Sequence, residues 1–167
     1  MDVIEPVRVE RTYVQKLKAR PEDIFPLLCP VRELEWVEGW NPLLVVSHSG
    51  MAEEDCIFLT GEEEPESYWV ITERDMKHFH MKMIKVTPGM TVAKISLALQ
   101  ATGEETTDAE VTYMYTALSE VGEAFVHGYT EDFYKEFMVQ WETALNNYLQ
   151  FRKEEKIKGS KGVDTSG

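Results

Sequence analysis

Cysteine is scarce in this chain: there are two in 167 residues, and Cys29 and Cys56 form no CxxC pair. Such a pair carries no disulfide framework and no metal-knuckle spacing, which predicts two reduced, buried thiols in a cytoplasmic protein. Long apolar runs are also missing. The longest aliphatic stretch, Leu43 to Val46, is far short of the roughly 20 residues that cross a bilayer, so stable membrane insertion is not expected. The opening MDVIEPVRVE places acids where a signal peptide needs a basic region. There is no Asn-x-Ser/Thr sequon, no internal repeat, no Gly-rich phosphate loop, no serine nucleophile elbow, no HExxH and no dinucleotide fingerprint. A nucleotide enzyme or motif-bearing hydrolase is therefore disfavoured, and no cofactor is predicted.

Positive charge is in short supply as well. Lys and Arg total 17 against 30 Asp and Glu, a net charge of −13. A body this acidic repels phosphate backbones, which argues against nucleic acid as a partner. The stretch from Arg152 to Gly167 is net +2, leaving −15 on residues 1–151. Much of that −15 is expected in two acidic loops, GEEEPES and TGEETTD, and on the outward positions of strands. Two units follow: a folded domain over 1–151, and a fraying helix end with a disordered tail over 152–167.

What the chain does have is apolar and aromatic material, 43% and 11% of residues, enough for one sizeable core. Val7–Lys18 reads as a strand. Pro21 followed by Glu22 and Asp23 starts a short helix, which Pro26 and Pro30 keep short. Pro30 opens a second short helix, VRELEWV, ending at Gly39. Six strands follow, at 42–48, 55–60, 67–73, 77–86, 91–100 and 109–118, joined by turn signals such as Ser49-Gly50 and Pro88-Gly89. In 91–100 the alternation is clean, with Ala93, Ile95, Leu97 and Leu99 on one side. Thr130 then caps a long helix in which Phe133, Phe137, Trp141, Leu145 and Leu149 fall at i+4 steps, and Gly159 closes it. Strand, two short helices, six strands and a long helix predict an α+β fold. A curved seven-stranded antiparallel sheet has its apolar face covered by the C-terminal helix.

This order resembles the START-like superfamily, also called SRPBCC or helix-grip, which includes Bet v 1-like and polyketide cyclase-like proteins. The segment KARPEDIFPLLCPVRELEWVEGW is similar to that family's entry segment, and the strand YMYTAL leading through Val121-Gly122 to the long helix adds to the likeness, which spans residues 7–151. The resemblance implies a cavity between the long helix and the concave sheet face, where family members hold lipids, isoprenoids, polyketides or hormones. Some members are cyclases or aromatases, and others carry or sense ligands.

On that footing the cavity-lining candidates are Phe133, Phe137 and Trp141 on the helix, and Phe79, Met81, Met83, Ile95, Leu97, Tyr113 and Tyr115 on the strands. Trp36 and Trp40 stand at the mouth. Each has a plainer reading as core. The two tryptophans either plug the end of the sheet or gate entry, with Glu38 as polar contact. Met76, Met81, Met83 and Met90 either fill gaps or form an adaptable wall. His78 and His80, if both lie on one strand, share a face, with Glu73, His48 or His127 as possible third ligands. The opposite parity of Phe79, Met81 and Met83 leaves the histidines solvated and predicts no metal site. A two-residue turn at Asp75-Met76 pairs Thr72 with Phe79 and Val70 with Met81; a one-residue slip pairs Ile71 with Met81. The leading expectation is a carrier or sensor of a hydrophobic or amphipathic small molecule. Alternatives are a polyketide cyclase or aromatase using the same cavity, and a module that binds a basic protein partner through its acidic surface.

Overall fold

The chain, a computed structural model, is described over residues 1–61 and 65–161. Glu62–Glu64 of the first acidic loop, and residues 162–167 of the expected tail, lie outside the described residues. Ten elements follow in order: β1 (Arg8–Leu17), α1 (Pro21–Ile24), β2 (Leu44–Val46), β3 (Ile57–Thr60), β4 (Ser67–Asp75), β5 (His80–Thr87), β6 (Thr91–Gly103), β7 (Thr106–Ala117), α2 (Glu120–Gly128) and α3 (Glu131–Lys161). Tight 3-10 turns at Phe25–Leu27 and Arg32–Glu35 follow α1. The strands form one curved antiparallel sheet in the order β1-β7-β6-β5-β4-β3-β2. This is the helix-grip arrangement. No helix among the described residues is long and apolar enough to cross a membrane.

The strands obey the period-2 pattern that the sequence shows. Thr91, Ala93, Ile95, Leu97 and Leu99 of β6 are buried, while Lys94, Ser96, Ala98 and Gln100 are exposed. The supposed loop TGEETTD is mostly strand. β6 continues to Gly103 and β7 begins at Thr106, because threonine is a strand former. Thr102 and Thr106 pair their hydroxyls at 3.0 Å, and buried Thr107 donates to the Ala19 carbonyl at 2.7 Å.

The β4–β5 register matches neither expectation. Ile71 pairs with Met83, Glu73 with Lys82 and Arg74 with Met81, leaving Thr72 as the extra residue of a bulge. Residues 76–79 form the turn, and Phe79 takes a positive φ of 56°. The bulge flips the parity of everything after it. Glu73 therefore points outward to Lys82 at 2.8 Å, and Arg74 points inward. His78 lies in the turn and His80 starts β5, so the two histidines do not share a strand face.

Helix α2 went unread in the sequence, where Val121-Gly122 was taken as a connection to the long helix. Ser119 caps it, accepting from the Gly122 N–H at 3.2 Å and donating to the Gly89 carbonyl at 2.7 Å. The glycine is there for contact: a Cβ at 122 would sit 1.9 Å from the Met90 carbonyl oxygen. The second short helix shrinks to the 3-10 turn Arg32–Glu35.

Helix α3 runs unbroken for 31 residues, through Gly159 to Lys161. Gly159 does not close it, and the residues from Arg152 to Lys161 are helical. Its buried face is Tyr134, Met138, Leu145 and Leu149, with Phe137 and Trp141 half-buried. Phe133 is 53% exposed. The reason is helical drift: at 3.6 residues per turn each i+4 step advances about 40°, so a five-residue i+4 stripe winds off the core face. Phe133, where that stripe begins, falls outside.

Gly122→Ala is expected to lower stability by about 1–3 kcal/mol, because backbone must move to admit the methyl group. The check is a urea titration, with the midpoint falling and the slope kept.

Candidate ligand site between sheet and helices

The concave face of β4–β7 presents Ile71, Met81, Ile95, Leu97, Val111, Tyr113 and Tyr115, all buried. Their rings join those of α2 and α3 in one network. Tyr113 lies 6.2 Å from Phe137, Phe137 5.7 Å from Trp141, and Trp141 5.3 Å from Trp36. Tyr115 lies 4.8 Å from both Phe125 and Tyr129. Edge-to-face contacts of this kind add to area burial.

The candidate residues fall into four groups. Met81, Ile95, Leu97, Tyr113 and Tyr115 face the interior and are buried; Met83, Phe137 and Trp141 face it and are half-buried. Trp36 and Trp40 have both indole N–H groups tied to backbone, on Leu27 O at 3.1 Å and Pro30 O at 2.7 Å, so they staple the segment after α1. Phe79 packs its ring 5.8 Å from Phe25 at the hairpin end. Phe133 is outside the interior and touches only the edge of the network, 5.5 Å from Tyr129. Glu38 and Met76 are exposed.

The histidines belong to an exterior cluster. His78 Nδ1 lies 2.7 Å from Asp75, and His80 lies 3.3 Å from Glu73 and 3.4 Å from Asp75. Hydrogen bonds from the His78 side chain and backbone hold the Asp75 carboxyl well below the usual carboxylate range. Among the described residues no group of His, Cys, Asp and Glu is arranged to hold a metal ion.

Three polar residues on the interior side escaped the sequence reading. Arg74, turned inward by the bulge, donates to Leu28 O at 2.9 Å, Phe25 O at 3.1 Å and the Met81 sulfur at 3.1 Å, and lies 4.5 Å over the Phe25 ring. It satisfies the carbonyls at the end of α1 and its following turn, and burial lowers its pKa. Lys85 also faces the concave side, 4.7 Å over the Trp69 ring. With Ser67, Thr87, Thr91, Tyr115 and Phe125 it lines a cavity of about 50 Å³ beneath α2.

The third is Glu33, one 3-10 turn before Trp36 and so on the same face. Burial pushes its carboxyl up to about 8, against a partial lowering by Arg74. Among the described residues no donor reaches it, yet its oxygens are not sealed off. It feels the interior directly, since its charge adds to the factors that raise the buried Tyr113, after desolvation and the neighbouring tyrosines. The carboxyl is thus half-buried and without a hydrogen-bond partner among the described residues. The sequence signal was the Glu33/Trp36 spacing, hidden because Glu35 and Glu38 lie as near.

No family model matches the chain, and no curated protein matches it. Solved structures do. Norcoclaurine synthase from Thalictrum flavum, in complex with dopamine and hydroxybenzaldehyde, is 12% identical with a TM-score of 0.66, covering 87% of this chain and 88% of that one. A protein of unknown function from Staphylococcus aureus is 12% identical with a TM-score of 0.67, covering 90% and 98%. Ara h 8.0201 is 8% identical with a TM-score of 0.62, covering 86% and 98%. At these identities the likeness establishes the fold alone: a helix-grip fold shared with these structures.

Glu33 makes stability depend on pH. The unfolded carboxyl ionises near its ordinary 4.5, while the folded one holds its proton to about 8. Its contribution is therefore fully present below about pH 4.5 and is lost as pH rises towards 8, at up to about 1.4 kcal/mol per unit. Glu33→Gln is expected to leave the urea midpoint unchanged near pH 4.5 and to raise it at pH 8, flattening the profile.

Proposed function

We propose that this domain binds a compact hydrophobic or amphipathic small molecule between the sheet and α3, with Glu33 as its polar anchor. The observation that carries this reading is the half-buried Glu33 carboxyl, without a hydrogen-bond partner among the described residues and near enough to the buried Tyr113 to raise it. A buried polar group without a partner costs free energy, and a ligand donor supplies the missing hydrogen bond. Phe137, Trp141 and Met83 are the half-buried apolar groups that a ligand covers, and Met81 and Met83 adapt to its shape. The cavity of about 50 Å³ lies beneath α2, beside Tyr115 and Phe125 and apart from Glu33, Met83, Phe137 and Trp141, and between the sheet and α3 the rings of Tyr113, Phe137 and Trp141 pack against one another. Entry therefore displaces rings, which favours a compact ligand over a long-chain lipid. The complex of norcoclaurine synthase with dopamine and hydroxybenzaldehyde supports a site for small aromatic molecules in this fold.

A catalytic reading rests on the same carboxyl. A group titrating near neutrality is suited to general acid–base work, and Tyr113, held protonated by burial, is a hydrogen-bond donor. Its signature is turnover of a phenolic or polyketide-like substrate that Glu33→Gln abolishes while binding persists.

The test of binding uses the neutral fluorophore N-phenyl-1-naphthylamine. Saturable one-to-one binding is expected, quenching tryptophan emission and weakening about tenfold in Phe137→Ala. No saturable binding, or an affinity indifferent to Phe137→Ala in a variant that folds, overturns the reading.

A further inference from the structure

The convex face of the sheet is solvated at one end and apolar at the other. One outward row, traced strand to strand by the register, is Glu73, Lys82, Ser96, Thr112 and Thr12. It has the ion pair Glu73–Lys82 at 2.8 Å and the hydroxyl pair Thr12–Thr112 at 2.8 Å, as a water-facing sheet should. The next row on the same face is Val46, Ile57, Val70 and Ile84, and it continues through Lys94 and Met114 to Glu10. The row beyond is Leu44, Leu59, Tyr68, Val86 and Val92, followed by Thr116 and Arg8. Leu44 is 50% exposed, Val46 52%, Ile57 38% and Tyr68 39%, although all are apolar or aromatic. Helices α2 and α3 lie on the other face, and among the described residues nothing covers this block. Outward strand positions were expected to carry much of the negative charge; here they carry none.

The size of the block decides its occupant. With strands about 4.8 Å apart and outward positions about 6.7 Å apart, five strands by two rows give a footprint on the order of 300 Å². A standard interface buries about 800 Å² on each partner, so the block is too small for a stable pair of copies, and each copy brings a charge of −13 to the other. One α-helix about 10 Å across and about 16 residues long covers a block roughly 24 Å by 13 Å. Helices are also what cover sheet faces in this architecture. Glu66, which accepts a hydrogen bond from the Tyr68 hydroxyl at the rim, and Asp55, two residues before Ile57, place acids at the margins.

We propose that this block docks an amphipathic helix of a partner protein, its apolar face on the sheet and its flanks bearing Lys or Arg. Binding at this face is separate from the ligand site, which opens on the opposite side of the same strands.

The test is an NMR titration of the whole chain with an 18-residue Leu/Lys amphipathic helical peptide, beside a Leu/Glu counterpart. The expected result is saturable binding of the Leu/Lys peptide, weakened by added salt, with amide shifts centred on Leu59, Tyr68 and Ile84. The charge-neutral, strand-compatible double variant Ile57→Thr/Ile84→Thr should lose affinity at least tenfold while its N-phenyl-1-naphthylamine binding is unchanged. If that variant fails to fold by circular dichroism, Val46→Thr on the open β2 edge supplies the same readout with a smaller loss. Shifts mapping elsewhere, equal binding of the Leu/Glu peptide, or an affinity untouched by the threonine substitutions overturns the proposal. So does self-association of the free chain that Ile57→Thr/Ile84→Thr abolishes, since the face then belongs to a second copy. Failure of fluorophore binding with peptide binding intact would remove the ligand reading and leave this one standing.

Discussion

Everything in this domain depends on how α3 is fastened to β1. β1 is an edge strand, and an edge leaves backbone donors and acceptors unpaired. Here α3 side chains take those places. Glu142 accepts from the Lys16 N–H at 2.5 Å, and Asn146 accepts from the Lys18 N–H and donates to the Lys16 carbonyl, both at 2.9 Å. From the strand side, buried Gln15 donates to the Met138 carbonyl at 3.1 Å. The helix is thus seated by directional bonds, at a height set by β1, rather than by collapse onto the middle of the sheet. Tyr134 adds a hydroxyl bond to the Val111 carbonyl. That seating leaves Phe137 and Trp141 half-buried on the concave side instead of pressed fully into it.

The bulge at Thr72 has the second largest consequence. Without it, Glu73 would follow Ile71 onto the concave face, and Arg74 would be outside. One inserted residue exchanges a carboxylate for a guanidinium. The guanidinium is used up on the carbonyls of Phe25 and Leu28. It stabilises the α1 segment and only partly offsets the burial of Glu33. An ion pair in contact with Glu33 would have made that carboxyl an inert structural group; the distance between the two keeps it protonatable.

How far the sequence carried this picture follows from the range of each signal. Short-range signals survived: the alternation of β6, Pro21 at the start of α1, the cap at Thr130, and the interior positions of Met81, Ile95, Leu97, Tyr113 and Tyr115. Signals that need a partner did not. Gly122 reads as part of a connection until Met90 stands against it. The bulge, and with it Arg74, Glu73 and the separation of His78 from His80, has no local mark, because Thr72 is an ordinary strand residue. Phe133 was misplaced by a stripe taken as straight where the helix turns it away. Glu33 was one acid among several near two tryptophans, distinguished only by how the chain folds over it.

The charge of −13 acquires meaning from where it is absent. The concave interior has Glu33 largely protonated at neutral pH, and the apolar convex block has Lys94 at its end and acids only at its margin. Negative charge surrounds both surfaces without entering either. Long-range repulsion of this kind disfavours anionic partners before contact and leaves neutral and cationic ones unimpeded. For a ligand of the interior, as proposed, it weighs against a net negative charge during approach. For the helix proposed on the convex block it favours a basic flank. One global property would therefore act on the approach to both proposed sites, while shape and hydrogen bonding differ between the two faces of one sheet.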